Sequence, residues 1–190
     1  ARFKDLYLSG SVGIGYSGSV RFNGIGDTTH AVGYDSTVDG SFMRGQNGMR
    51  FITATGTGTE HMRIDSSGRL GLGVTPEAWS SVFKVLRVGT GSSIAGESGG
   101  TSTWFNTNAY YDGSWKRINQ NTSAQIAHTS DGKQEFKVAA SGSAGSVISW
   151  NTAMTVDNSS NVLVGTTDTT PGIGNTNAGI SMSAANGIII

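Results

Sequence analysis

Large apolar side chains in this chain come in short runs, broken every few residues by Gly, Ser, Asn or Asp. In Val12-Gly13-Ile14-Gly15 and Leu70-Gly71-Leu72-Gly73, two large side chains alternate with two glycines, the period of two that puts each set on one strand face. A glycine face weakens an isolated strand, so it predicts close approach by another backbone, here that of a neighbouring chain around a symmetry axis. Phe83-Lys84-Val85-Leu86-Arg87-Val88 alternates less cleanly. Phe83 and Val85 share one face and Leu86 and Val88 the other, which predicts burial on both sides. Val, Ile and Thr total 47 residues against 6 Leu and 2 Pro, favouring strands over helices. The fold class expected is all-β.

One segment breaks the strand pattern. Thr75-Pro76-Glu77-Ala78-Trp79 reads as a helix start, with Thr75 as cap, Pro76 at the first helical position and Glu77 near the positive end of the dipole. A short helix near 76–82 is expected, followed by a Gly/Ser-rich surface loop from Gly89 to Thr103. The aromatic cluster Trp104, Phe105, Tyr110, Tyr111 and Trp115 comes next, and Tyr110-Tyr111-Asp112-Gly113-Ser114-Trp115 is a hairpin signature with Asp112-Gly113 as its turn.

The chain also repeats itself. His61-Met62-Arg63-Ile64-Asp65-Ser66-Ser67-Gly68-Arg69-Leu70-Gly71-Leu72-Gly73 aligns with Ala153-Met154-Thr155-Val156-Asp157-Asn158-Ser159-Ser160-Asn161-Val162-Leu163-Val164-Gly165 at a constant offset of 92. Each copy reads as strand, turn, strand, with Asp65 and Asp157 as turn formers whose carboxylates accept backbone amides further along. A fainter copy lies at Leu8–Gly15, and Phe51–Gly56 resembles Lys137–Gly142, which adds a hairpin ahead of each Asp turn. A shaft-like stack of hairpins follows.

Composition narrows the choices. Gly, Ser, Thr and Asn supply 87 of 190 residues, whereas Leu, Ile, Val and Phe supply 39, near the level at which highly charged chains stay unfolded. The net charge is zero, so the charge half of that signature is missing, and short apolar segments between polar turns are expected. So thin a core points to oligomerisation. The Lys and Arg residues are scattered, which argues against nucleic acid as a partner. No apolar run approaches the ~20 residues of a membrane helix, so no membrane insertion is expected. Without cysteine there is no disulfide framework or thiolate site.

Several phrases resemble one family. Arg2-Phe3-Lys4-Asp5-Leu6-Tyr7-Leu8-Ser9-Gly10, Glu60 through Gly68, Asn108 through Lys116, and Ala140-Ser141-Gly142-Ser143-Ala144-Gly145 through Asp157 are similar to recurring phrases in tail-fibre and tail-spike proteins of tailed bacteriophages. The resemblance implies an elongated, intertwined homotrimeric fibre on the virion, made of β-hairpin repeats, which contacts other tail proteins and binds a host cell-surface glycan or protein receptor. It also implies that a self-cleaving chaperone module of the endosialidase type often follows. Nothing similar to that module is present, and Gly187-Ile188-Ile189-Ile190 is expected either to continue a shaft or to mark a truncation. The organisation expected is a shaft-like β-repeat region over 1–74, a more globular β-rich module over 75–165, and a continuing shaft segment over 166–190.

No enzyme constellation stands out. His30, His61 and His128 are far apart and form no zinc motif. The acids Asp65, Asp112, Asp131 and Asp157 are better explained by turns than as a glycosidase pair, and Gly10–Gly15 lacks the Lys-Ser/Thr of a phosphate loop. No catalysis, cofactor or metal is expected; the alternatives are a depolymerase acting on host polysaccharide and a purely structural shaft. The receptor-binding candidates are Trp104, Tyr110, Tyr111, Trp115, Asn119 and Asn121, because aromatic rings stack on sugars and amides bond their hydroxyls. Core packing competes for Trp104, Phe105 and Trp115. The adjacent Tyr110 and Tyr111 should face opposite ways, leaving one exposed.

Overall fold

The computed structural model describes residues 19–21, 30–35, 37–53, 58–167, 180–183 and 187–189. The glycine-faced run at Val12–Gly15, the faint repeat copy at Leu8–Gly15 and the phrase Arg2–Gly10 lie outside them. The chain divides into two compact units, Ala1–Met49 and Arg50–Ile190. In the first, β1 (Ser19–Arg21), β2 (Ala31–Asp35) and β3 (Gly40–Arg44) form a three-stranded antiparallel sheet in sequence order, with Val20 opposite Val32 and Val32 opposite Met43.

The second unit is dominated by one long sheet. Its strands are β4 (Gly48–Thr53), β5 (Thr59–Asp65), β6 (Leu70–Leu72), β7 (Phe83–Val88), β8 (Ser92–Glu97), β9 (Thr103–Thr107), β12 (Asn121–His128), β13 (Gln134–Gly142), β14 (Asn151–Val156), β15 (Val162–Val164), β16 (Ile180–Ser183) and β17 (Gly187–Ile189). They lie side by side in chain order, and β10 (Tyr110–Tyr111) and β11 (Trp115–Lys116) leave the series to form a separate hairpin. The sheet continues past residue 74, where β6 pairs with β7, and past residue 165, where β15 pairs with β16. No helix occurs among the described residues, and the all-β expectation holds.

The repeat folds twice into the same unit. Met62 opposes Leu72 and Ile64 opposes Leu70; 92 residues on, Met154 opposes Val164 and Val156 opposes Val162. In each turn one aspartate collects the donors. The Asp65 carboxylate accepts the amides of Ser67 and Arg69 at 2.9 and 3.0 Å and the Arg69 Nε at 2.7 Å. Asp157 accepts the amides of Ser159 and Asn161 at 2.9 and 2.8 Å and the Asn161 Nδ2 at 2.8 Å. The fourth residue of each turn, Gly68 or Ser160, has φ of 74° or 66°, which glycine adopts freely and serine only at some cost. Thr129–Lys133 builds a related turn, with the Thr129 amide donating to the Lys133 carbonyl and the Gly132 amide to the Thr129 carbonyl, both at 2.9 Å.

The expected Gly89–Thr103 loop is interrupted by a strand, β8 at Ser92–Glu97. Only its two ends turn, and β8 pairs with both β7 and β9. Its small residues are there to give room: Ala95 is fully buried beneath the aromatic cluster.

These turns tie the fold to carboxylate charge. Burial raises the Asp65 carboxyl, but the Arg69 and Ser67 amides and the Arg69 guanidinium outweigh it and hold the group below its ordinary 3.8. Asn161 does the same for Asp157, and Lys133 and then Thr129 lower Asp131 to about 2. A depressed folded value adds stability that is complete above the unfolded pKa of about 3.9 and is lost as pH falls through the folded values. Melting temperature should therefore drop between about pH 4 and pH 2, and the D65N/D157N double variant should show a flatter profile over that window. Asp65→Ala, which removes the acceptor of the Arg69 Nε and of two amides, is expected to cost about 1–3 kcal/mol in denaturant unfolding.

Candidate functional site

The two faces of the sheet differ sharply. One is covered by three segments: the strap 73–82 between β6 and β7, the β10–β11 hairpin, and the loop 143–150. The strap exists because β6 and β7 are parallel, and parallel neighbours need a connection that crosses the sheet. It is not the helix expected near 76–82. Glu77 is drawn instead to Arg87, whose Nε and Nη2 donate to its two carboxylate oxygens at 2.6 and 3.0 Å. The Ser80 amide donates to the Tyr111 carbonyl at 2.8 Å. These bonds to distant residues replace the local ladder of a helix. Arg87 is fully buried, and its remaining donors reach the Ser92 and Thr90 carbonyls.

Gly71 meets this strap. A β-carbon there would run into the Val74 carbonyl oxygen and lie 2.9 Å from Pro76 Cδ. The close backbone approach expected from a neighbouring chain is thus made within the same chain.

Under the strap lies an aromatic cluster. Trp115 is its hub, with ring centroids 5.4 Å from Tyr111, 6.0 Å from Trp79 and Trp104, 6.1 Å from Phe83 and 6.4 Å from Trp150. Edge-to-face pairs such as Trp79–Phe83 and Phe83–Trp104 add about 0.5–1.5 kcal/mol each beyond area burial. Trp104 and Trp115 therefore belong to this packing. Tyr110 and Tyr111 form the expected hairpin, Tyr111 opposite Trp115 and Tyr110 opposite Lys116. Both are half-buried against the cluster, so neither is the exposed ring expected of an alternating pair. The hairpin rim is polar, with Lys116 Nζ donating to Asp112 at 2.8 Å.

Asn119 is also tied down. Its Nδ2 donates to the Thr90 carbonyl at 2.9 Å and its amide to Asn108 Oδ1 at 2.7 Å. Asn121 is exposed at the start of β12. Of the six candidates, the structure brings Trp104, Tyr110, Tyr111 and Trp115 together, and leaves Asn119 and Asn121 at the neighbouring turn. Arg117 anchors the third covering segment: its Nη atoms donate to the Ala140 and Val147 carbonyls at 2.6 and 3.0 Å and to Ser146 Oγ at 3.2 Å. Gly142 gives it space, since a β-carbon there would lie 2.8 Å from Arg117 Cζ.

The covered face also buries a polar row. Arg87, Ser93, Asn106 and Gln125 are cross-strand neighbours. Gln125 Nε2 donates to Asn106 Oδ1 at 2.8 Å, Asn106 Nδ2 to Ser93 Oγ at 3.2 Å, and Ser93 Oγ to the Ala109 carbonyl at 3.4 Å. A chain of satisfied partners is what makes such burial tolerable.

The opposite face is open and apolar. Ile64, Leu70, Leu86, Ile94 and Phe105 pair in succession across β5 to β9. The same row continues from Phe105 through Ile126, Phe136, Met154, Val164 and Ile180 to β16. Phe105, expected in the core, lies here at 44 % exposure, and the Leu86/Val88 side of β7, expected to be buried, is uncovered in the single chain. A groove of ≈ 460 Å³ runs along the row beside Ile94, Phe105, Ile126 and Phe136. The sequence reading missed this face. Its signal is present in β8 and β12, where Ile94 and Ile126 alternate with small or polar residues, but not in β9, where Trp104 precedes Phe105.

Among the described residues, no group of three or more His, Cys, Asp or Glu side chains could hold a metal ion. Removing Glu77 should expose the clamp directly: Glu77→Ala strands a buried guanidinium and is expected to cost about 3–5 kcal/mol by urea unfolding. A loss below about 1 kcal/mol would show that the strap is held some other way. No family model, curated protein or solved structure matches this chain.

Proposed function

We propose that this chain is a structural segment of a bacteriophage tail fibre or tail spike, carried on the virion as a homotrimer and displaying a surface that attaches to a host glycan. The observation that supports this most is the strand, Asp-turn, strand unit, built twice at the same register and set in one sheet whose strands follow chain order. Such a stack extends by adding hairpins and suits a rigid display element. Loops and short hairpins on a rigid scaffold commonly carry binding. The β10–β11 hairpin offers two half-buried tyrosines beside Asp112 and Lys116, a ring surface with charged edges of the kind that holds sugars.

A purely structural shaft is the second reading. It is favoured by the use of Trp104, Trp115 and Asn119 in the chain's own packing. Binding of the purified protein to immobilised bacterial surface polysaccharides separates the two. The attachment reading expects binding that falls at least about tenfold, equivalent to ~1.4 kcal/mol, in the Y110A/Y111A variant while the β-sheet circular dichroism is kept. Binding unaffected by that variant would move attachment elsewhere, and no binding to any polysaccharide would leave the shaft reading.

A further inference from the structure

We infer that the open face of the long sheet, centred on Ile94, Phe105, Ile126 and Phe136, is the surface on which copies of this chain meet. The inference rests on the proposed fibre reading for its multiple copies, and adds which face they share.

The first argument is the makeup of the two faces. Across β7, β8, β9 and β12 the covered face buries Arg87, Ser93, Asn106 and Gln125 beside Phe83, Val85, Ala95 and Ala127, while Val88, Ile94, Phe105 and Ile126 on the other face stay between 38 % and 45 % exposed. A sheet with one solvated face normally carries polar side chains on that face. The open face therefore has the composition of an interior.

The second argument is area. Nine side chains on this face (Val88, Ile94, Phe105 and Ile126 among them) are 37–48 % exposed. At ~150–200 Å² for a whole large side chain they present roughly 600 Å² of apolar surface, the upper end of the largest patch on a typical monomer. The half-buried Leu70, Leu86, Phe136 and Met154 add to it. The total approaches the ~800 Å² per partner that a stable protein interface buries.

The third argument is charge. The central row carries no charged or polar residue from Ile64 to Ile180, and the row beside it turns polar through Lys84, Gly96, Thr103, His128 and Gln134. An apolar centre with a polar rim is the anatomy of an interface. An uncharged centre calls for an equally apolar surface on the partner. Another copy of this chain supplies one, and its zero net charge sets no overall repulsion against association.

The four tryptophans, Trp79, Trp104, Trp115 and Trp150, are clustered on the covered side, so their emission reports folding independently of the open face. The test is light scattering of the purified chain at about 10–100 µM, with I126K, the milder F105T/I126T pair, and V147K as a control at an exposed site on the covered side. The wild type and V147K should be oligomeric. I126K and F105T/I126T should lose at least tenfold in association constant with unchanged tryptophan emission, and where I126K unfolds the threonine pair decides. A threonine pair that keeps the oligomer mass would overturn the choice of face and leave the fibre reading intact. A monomeric wild type, including one whose groove takes up an apolar dye, overturns both this inference and the homotrimer. Loss of polysaccharide binding by an intact oligomer counts against the attachment reading alone.

Discussion

The buried contact between Arg87 and Glu77 governs the arrangement of the long sheet. A guanidinium with no exposure is tolerable only when its charge and its donors are met, and here one carboxylate and two carbonyls meet them. Glu77 can reach Arg87 only if the strap crosses the sheet, and the crossing is what permits β6 and β7 to run parallel. It also seats Trp79 on Phe83 and so gathers the aromatic cluster on one side. The covered and open faces of the sheet both follow from that choice.

Its cost is visible in the residue types of the covered face. Bulky rings from the strap and hairpin need space, which Ala95 provides by being small, and the strap itself comes close over Gly71. A row of inward positions carries Ser93, Asn106 and Gln125, which bond one another and the backbone of the 108–109 corner. Large aliphatic side chains are therefore concentrated outward. The scarcity of Leu, Ile, Val and Phe in the chain is thus compounded by where they are placed: among the described residues, Phe83, Val85, Ile148 and Leu163 are the ones buried.

Much of the fold was legible because its determinants are local. The Asp65 and Asp157 turns depend on residues two and four positions on, and the Asp112-Gly113 hairpin closes on immediate neighbours. The segment around Glu77 was not legible, because a helix-start pattern competes there with a partner ten residues away that no local window contains. The glycine face of β6 correctly announced a close backbone, but its owner, the chain's own strap, could be identified only from the crossing. Of the candidate site, the aromatic hairpin was visible as a motif. The half-burial of both tyrosines was not, since strand alternation says nothing about a hairpin lying flat on a cluster.

The sequence by itself determined the all-β class, the repeat at an offset of 92 and the turn chemistry that closes each copy, because each depends on short-range periodicity and hydrogen bonding. Tertiary structure alone decided which face of each strand is inside. Alternation sorts residues into two sets but does not say which set is covered, and in β8, β9 and β12 the covered set is the one with Ser93, Asn106 and Gln125, not the one with Ile94, Phe105 and Ile126. The physical reason is the clamp between Arg87 and Glu77, a long-range pairing that commits the covering segments to the Arg87 side and leaves the apolar row open.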